Sequence, residues 1–333
     1  MPLRIAIIAT GGTIASTTTE GGVVANQTAA TLLEGAGIAG VEIETIDLMT
    51  LGSYRMTLGH LRQISDQVAD LLAREHERVD GIVITHGTDT MEETAILLDL
   101  VHDDPRPLVL TGAQHPRDAV GGDGPRNLAD AVRVAASPDA RELGVLIAFA
   151  GRILPARGTR KMHTTALAAF DSMVGGSVGN VSGGAVSIIS APRRPKPLPR
   201  PTLAFDNTRV DLVVMYPGGD AALIHAAVAA GAKGVIVAGT GIGNANPAVV
   251  AAAQELVPRG IFLVLSTRVP EGPVAGVYGN GGGADLVAAG VPAASGLPAT
   301  QLRILLALWL SQRVDASEQV NSLIDIYADN KED

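Results

Sequence analysis

The chain contains no cysteine. That excludes disulfides, thiolate metal ligands and a cysteine nucleophile, and it suits a reducing cytosol and a periplasm alike. Aromatic residues make up only 3%, so the core is aliphatic, drawn from Ala, Val, Leu and Ile with much Gly. Such a core fits parallel strands covered by helices on both faces. Positive charge is also short: 25 Lys and Arg against 34 Asp and Glu give a formal charge of −9. The one basic cluster is Arg193-Arg194-Pro195-Lys196. Phosphate backbones demand clustered cations, so nucleic acid is not an expected partner, and the acidic balance serves solubility. No stretch approaches the roughly 20 apolar residues of a membrane span. The apolar opening at residues 5–9 is shorter than the roughly 7–15 residues of a signal-peptide core and merges into a polar motif. It reads as the first strand of the mature fold, with no membrane partner and a cytoplasmic location. Histidine and carboxylate clusters with metal-ligand spacing are lacking too, so no metal is expected.

What is present is a regular alternation. With 333 residues there is room for two domains with separate cores. Strands are predicted at residues 4–10, 41–46, 80–85, 107–111 and 143–149. Helices are predicted at 28–36, 58–77, 90–102 and from 127 to 137. This pattern predicts a doubly wound parallel sheet, an α/β fold. Residues 16–27, rich in Thr and Gly without periodicity, read as a mobile loop, and 151–163 as a basic, irregular one. Prolines at 192, 195, 197, 199 and 201 predict an extended connector. The expected organisation is an N-terminal α/β catalytic domain over 1–190, a Pro-rich linker over 191–210 and a smaller α/β domain over 211–333. In the latter, strands are predicted at 212–216, 234–239 and 261–267, and helices at 221–230, 246–256 and 298–312, with Asn246-Pro247 as N-cap and first turn.

The chemistry is expected where strands end, because ligands of open α/β sheets bind outside the carboxyl ends of the strands. The stretch Ile82-Val83-Ile84-Thr85-His86-Gly87-Thr88-Asp89-Thr90 places a hydroxyl and a carboxylate side by side at such an end. Thr90 with Glu93, or Asp89 with Glu92, has the spacing of a capping box. Thr10-Gly11-Gly12-Thr13 follows the first strand, and its glycines allow backbone to approach a ligand. Lys161 stands among Arg157, Arg160 and His163; in a buried setting near Thr88 and Asp89 it has the makings of a base, and otherwise it is one cation of a solvated loop. Gly239-Thr240-Gly241-Ile242-Gly243-Asn244 departs from the dinucleotide fingerprint at its last position. It reads as a Gly-rich turn or a polar contact through Asn244. His86 and His115 read as structural rather than catalytic.

These residues carry a family resemblance. Ile7-Ile8-Ala9-Thr10-Gly11-Gly12-Thr13-Ile14-Ala15 and Val83 to Thr94 resemble the two signatures of bacterial-type L-asparaginases. The likeness continues in order through Thr111-Gly112-Ala113, Asp123-Gly124-Pro125-Arg126-Asn127, Lys161 and residues 238–244. The resemblance implies hydrolysis of the side-chain amide of L-asparagine to L-aspartate and ammonia without metal or cofactor. It implies Thr13 as nucleophile; Thr88, Asp89 and Lys161 as a second catalytic group; and Gly12, Ser53, Tyr54, Thr88, Asp89, Ala113 and Asn244 as substrate contacts, Asp89 holding the substrate amine and Asn244 coming from a neighbouring subunit. It also implies a homotetramer built as a dimer of dimers. Three positions depart from the family pattern. The segment 16–47 has no Tyr, Tyr54 replaces a Gln, and 273–283 offers no Glu for the cross-subunit contact. Tyr54 or Tyr278 is expected to take over the missing tyrosine's role. The competing functions are a glutaminase-asparaginase, an amidotransferase subunit for which the chain lacks a docking domain, and a non-catalytic amino-acid sensor.

Overall fold

A computed structural model describes residues 2–19, 22–33, 40–312 and 323–328. The chain divides into two compact units, Met1–Pro192 and Arg193–Asp333. In the first, the strands are β1 (Leu3–Gly11), β2 (Ser16–Thr19), β3 (Gly22–Ala25), β4 (Val41–Leu51), β5 (Gly81–Thr85), β6 (Leu108–Thr111), β7 (Val145–Phe149), β8 (Arg152–Pro155), β9 (Thr159–Lys161), β10 (Phe170–Ser172), β11 (Gly179–Ser182) and β12 (Ala185–Ile188). Its helices are α1 (Ala29–Leu33), α2 (Leu58–Leu72), α3 (Met91–Val101) and α4 (Gly124–Ala136).

Eight strands form the main sheet in the order β12-β11-β8-β7-β6-β5-β1-β4. The run from β4 to β7 is parallel, and β8, β11 and β12 extend it antiparallel. Strand side chains alternate between faces, and each face has its own core. Ile5, Ile7, Val83 and Val109 pack with Leu128, Ala131 and Val132 of α4. Ala6, Ile8, Ile82, Ile84 and Leu110 pack with Ile64 and Val68 of α2 and Ala95 and Leu98 of α3. Helices thus cover both faces, as the aliphatic composition demands. The chain passes from β1 to β4 on one side and then crosses to β5 on the other. The switch point of this sheet therefore lies at the carboxyl ends of β1 and β5, where a ligand crevice opens.

Several expectations change. The described residues of 16–27 contain two strands in place of an irregular loop. β2 and β3 pair as an antiparallel hairpin, Ser16 opposite Ala25 and Thr17 opposite Val24, and Thr18 donates its N–H to Asp118 at 2.9 Å. Thr at successive positions masks the period-2 pattern because it is both β-branched and polar. Residues 151–163 likewise contain β8 and β9. The helix expected at 28–36 is seen over Ala29–Leu33, with residues 34–36 lying outside the described residues. The helix expected at 58–77 ends at Leu72, where apolar periodicity gives way to Arg74-Glu75-His76-Glu77. A capping box is found there rather than on α3: Thr57 and His60 bond reciprocally at the start of α2.

The second unit contains α5 (Leu203–Asp206), β13 (Val210–Val214), α6 (Ala222–Ala229), β14 (Gly234–Gly239), α7 (Pro247–Leu256), β15 (Phe262–Thr267), α8 (Gly283–Ala288) and α9 (Ala299–Ser311). Its three strands form a parallel sheet in the order β13-β14-β15. Asn246 caps α7 by accepting the N–H groups of Ala248 and Val249.

Candidate active site

Threonines at or next to the ends of β1, β5 and β6 sew the sheet's carboxyl edge together. Thr10 Oγ1 donates to Thr85 O at 2.8 Å, Thr111 Oγ1 donates to Ala148 O at 2.8 Å, and the His86 N–H donates to Thr111 O at 2.8 Å. Beyond them the backbone turns on glycines in close contact. A β-carbon on Gly12 would lie 2.3 Å from Gly87 Cα, and one on Gly87 would lie 2.6 Å from Ser53 Oγ. The turns after β1, β4 and β5 thereby meet at one point.

A cavity of about 400 Å³ opens there, and Gly12, Thr13, Ser53, Tyr54, Thr88 and Asp89 are on its wall. Thr13 begins a short 3-10 turn, Thr13–Ala15, with Gly12 at its N-cap. Ser53 is buried. Its Oγ accepts the Asp89 N–H at 3.2 Å and its carbonyl accepts Thr90 Oγ1 at 2.9 Å. That bond to Ser53 is why Thr90 makes no side-chain cap on α3, contrary to the capping box expected from its spacing with Glu93.

Lys161, at the end of β9, reaches behind this wall. Its backbone N–H donates to Glu92 Oε2 at 2.8 Å. Its Nζ donates to Thr88 Oγ1 at 2.7 Å and to Asp89 Oδ1 at 2.8 Å. Thr88 is buried, whereas the Asp89 side chain is 55% exposed. Among the described residues Asp89 Oδ2 has no hydrogen-bond partner. The loop after β6 completes the surroundings. Asp123 accepts the backbone N–H groups of Gln114 and His115 at 3.0 Å each, and Asn127 Nδ2 donates to Gly112 O at 3.0 Å. These bonds account for the Asp123-Gly124-Pro125-Arg126-Asn127 motif as a brace for that loop.

Ala113 is fully buried and packs in the core, so its side chain adds no surface to the cavity. Asn244 belongs to the second unit, where its Oδ1 accepts the Gly283 N–H at 3.1 Å. Tyr278 also lies in that unit and is exposed. His86 is fully buried. Its Nδ1 faces Gly87 O at 2.7 Å and its Nε2 faces Thr94 Oγ1 at 2.9 Å. A carbonyl only accepts, so Nδ1 carries the hydrogen and Nε2 accepts from Thr94. Burial pushes its pKa down to about 4, against a smaller opposing effect of the Gly87 bond. It is a neutral structural residue. Two residues on or behind the wall escaped the sequence reading. Arg55 lines the cavity. Gln114 accepts the Thr88 hydroxyl at 3.2 Å; its place just past the end of β6, beside β5, was the signal available for it.

Comparison with known proteins gives the family. The family model described as "Asparaginase, N-terminal" matches residues 4–194, and that described as "Glutaminase/Asparaginase C-terminal domain" matches residues 209–323. The chain belongs to the asparaginase family. An L-asparaginase of Bacillus licheniformis is 34% identical over 321 residues, 93% of this chain and 96% of the relative. A glutaminase-asparaginase of Pseudomonas fluorescens biotype A is 36% identical over 284 residues, 81% of this chain and 76% of the relative. A crystal structure of a probable cytoplasmic L-asparaginase from Campylobacter jejuni is similar with a TM-score of 0.83 and 30% identity, covering 97% of this chain and 99% of the other. As an asparaginase-family chain, it carries both signatures on the same cavity. No helix among the described residues is long and apolar enough to cross a membrane.

Proposed function

We propose that this chain is an L-asparagine amidohydrolase in which Thr13 is the nucleophile and Thr88, Lys161 and Asp89 form the proton-handling group. The observation that carries the reading is the chain of contacts from Thr88 through Lys161 Nζ to Asp89, at 2.7 and 2.8 Å, beside a cavity that Thr13 shares with Thr88. A threonine hydroxyl is a weak nucleophile and needs an adjacent base. Thr13 Oγ1 bonds to the amide carbon, and its proton passes by way of Thr88 and Lys161 to the amide nitrogen. The C–N bond breaks and ammonia leaves. Water then adds to the acyl carbon, the Thr13–carbon bond breaks, and the second proton returns to Thr13. Oxyanion stabilisation falls to the Thr88 N–H, which has no partner among the described residues. The Gly12 N–H, on the neighbouring turn, is committed to Leu51 O at 2.9 Å.

Substrate class follows from the charges on the wall. Asp89 and Arg55 are its carboxylate and its guanidinium, opposite charges suited to the amine and carboxylate of a zwitterionic amino acid. Ser53 and Tyr54, which immediately precede Arg55 in sequence, are on the same wall. Asn244 is assigned to the site of a neighbouring subunit in a homotetramer, an assembly that would cover the exposed Val214, Tyr216 and Leu223 of the second unit. The cytoplasm is the proposed location, in keeping with the Campylobacter jejuni neighbour's description.

Ammonia and aspartate released from asparagine by the wild-type protein, with glutamine in parallel, test the reading. Equal yields of the two products from asparagine, with slower release from glutamine, are expected. Comparable rates on both amides favour the second reading, a glutaminase-asparaginase like the Pseudomonas fluorescens relative. Binding of asparagine by calorimetry without ammonia release would instead leave a non-catalytic sensor.

A further inference from the structure

Gln114 is not on the cavity wall, yet it ends the hydrogen-bond chain that starts at Lys161. The orientation of its amide follows from its partners. Nε2 donates to Thr164 O at 3.3 Å and to Ala166 O at 3.0 Å. Both are carbonyls that only accept, so Oε1 is the atom that faces Thr88. The Thr88 hydroxyl has one hydrogen, and Oε1, 3.2 Å away, accepts it. Thr88 Oγ1 in turn receives a hydrogen from Lys161 Nζ at 2.7 Å. Donation therefore runs one way, from Lys161 to Thr88 to Gln114 to the carbonyls of residues 164 and 166. A proton moving from the cavity to Lys161 requires the opposite sense at Thr88, with its hydrogen turned toward Nζ.

We infer that Gln114 is a positioning residue whose side-chain oxygen holds the Thr88 hydroxyl hydrogen away from Lys161, and so sets the pH at which the Thr88–Lys161 pair accepts a proton. This rests on the amidohydrolase reading and adds the group that opposes its relay. The charged and titratable groups around Lys161 are Asp89, 2.8 Å from Nζ, and Glu92, which accepts its backbone N–H. On its own segment they are Arg160 and His163, and Asp171 of β10 stands opposite Arg160. Among the described residues none of these side chains is hydrogen-bonded to the Gln114 side chain.

Two variants isolate the oxygen. Gln114→Met removes both the acceptor and the donor. Gln114→Glu removes the donor and keeps a stronger acceptor. Loss of the anchors to residues 164 and 166 is common to both, so a merely structural role moves them together. In Gln114→Met the freed Thr88 hydrogen turns to the amine and favours its uncharged form. The acidic limb of kcat/KM for asparagine then moves to lower pH, by about half a unit or more for one hydrogen bond. In Gln114→Glu the limb moves to higher pH, because the carboxylate holds the hydrogen more strongly and adds negative charge. KM at the plateau is expected to stay near the wild-type value in both. Nitrogen NMR of the Lys161 side chain, without substrate, is expected to show its protonation midpoint moving in the same two directions. That readout holds even if wild type releases no ammonia, which would sink the amidohydrolase reading alone. Shifts of one sign in both variants, or none in either, would overturn the inference and leave Gln114 an anchor for the loop at 164–166.

Discussion

Gly12 and Gly87 touch backbone to backbone: a β-carbon on Gly12 would stand 2.3 Å from both the Cα and the N of Gly87. Gly12 also holds a φ of +79°, which side-chain-bearing residues rarely adopt. This contact joins the turn that carries Thr13 to the turn that carries Thr88. Gly12→Ala is expected to cost more than ~2 kcal/mol of stability. It should also abolish most activity at temperatures where the variant remains folded. Thermal melts and steady-state kinetics on the same preparation check this. A variant with wild-type melting temperature and turnover would show that the turns need not meet.

Lys161→Met severs the bonds to Thr88 and Asp89 while keeping an unbranched chain of similar length. The expected loss in kcat is about 10²- to 10⁴-fold, the usual worth of a positioned acid-base group. KM should rise less, since Asp89 still faces the cavity. Kinetics with a melting curve test the split. A loss confined to KM would assign Lys161 to binding alone.

Much of this is legible in the amino-acid sequence. The parallel sheet followed from aliphatic runs such as residues 5–9 and 82–84, which are uniformly buried because helices cover both faces. The turns bearing Thr13 and Thr88 followed from their places at strand ends. What escaped was whatever depends on contacts between distant segments. Thr90 has the spacing of a helix cap, but Ser53, far back in the chain, offers its hydroxyl a competing carbonyl. Gln114 carries only the weak signal of its place past the end of β6, because its importance arises from three partners in two other loops. The β2–β3 hairpin was hidden by a run of threonines that reads as loop and pairs as strand.

His86 makes stability depend on pH. Its pKa falls from 6.5 unfolded to about 4 in the fold, through burial. Below 6.5 the unfolded chain binds a proton that the folded chain refuses, so stability is full above 6.5 and declines as pH drops toward 4. The contribution is on the order of 3 kcal/mol. Melting temperature should fall across this window in wild type. His86→Gln should lose that part of the slope while being less stable at neutral pH by ~1–3 kcal/mol. An unchanged slope in the variant would assign the acid sensitivity elsewhere.

Tyr54 is 75% exposed, and its ring folds back on Gly52, where a β-carbon would lie 2.5 Å from Cε1. It is the only tyrosine on the cavity wall among the described residues. If its phenol replaces the tyrosine absent from 16–47, Tyr54→Phe should lower kcat for asparagine about 10-fold or more with little change in melting temperature. Unaltered turnover in Tyr54→Phe would move that role to Tyr278 or to no tyrosine.

In the proposed reaction Thr13 forms the bond to the substrate's amide carbon. Ammonia release from asparagine by Thr13→Ala, beside wild type and at saturating substrate, tests it most directly. A fall of about 10³-fold or more is expected in a protein that still melts cooperatively and still binds asparagine. Thr13→Ala retaining a substantial fraction of wild-type turnover would contradict it.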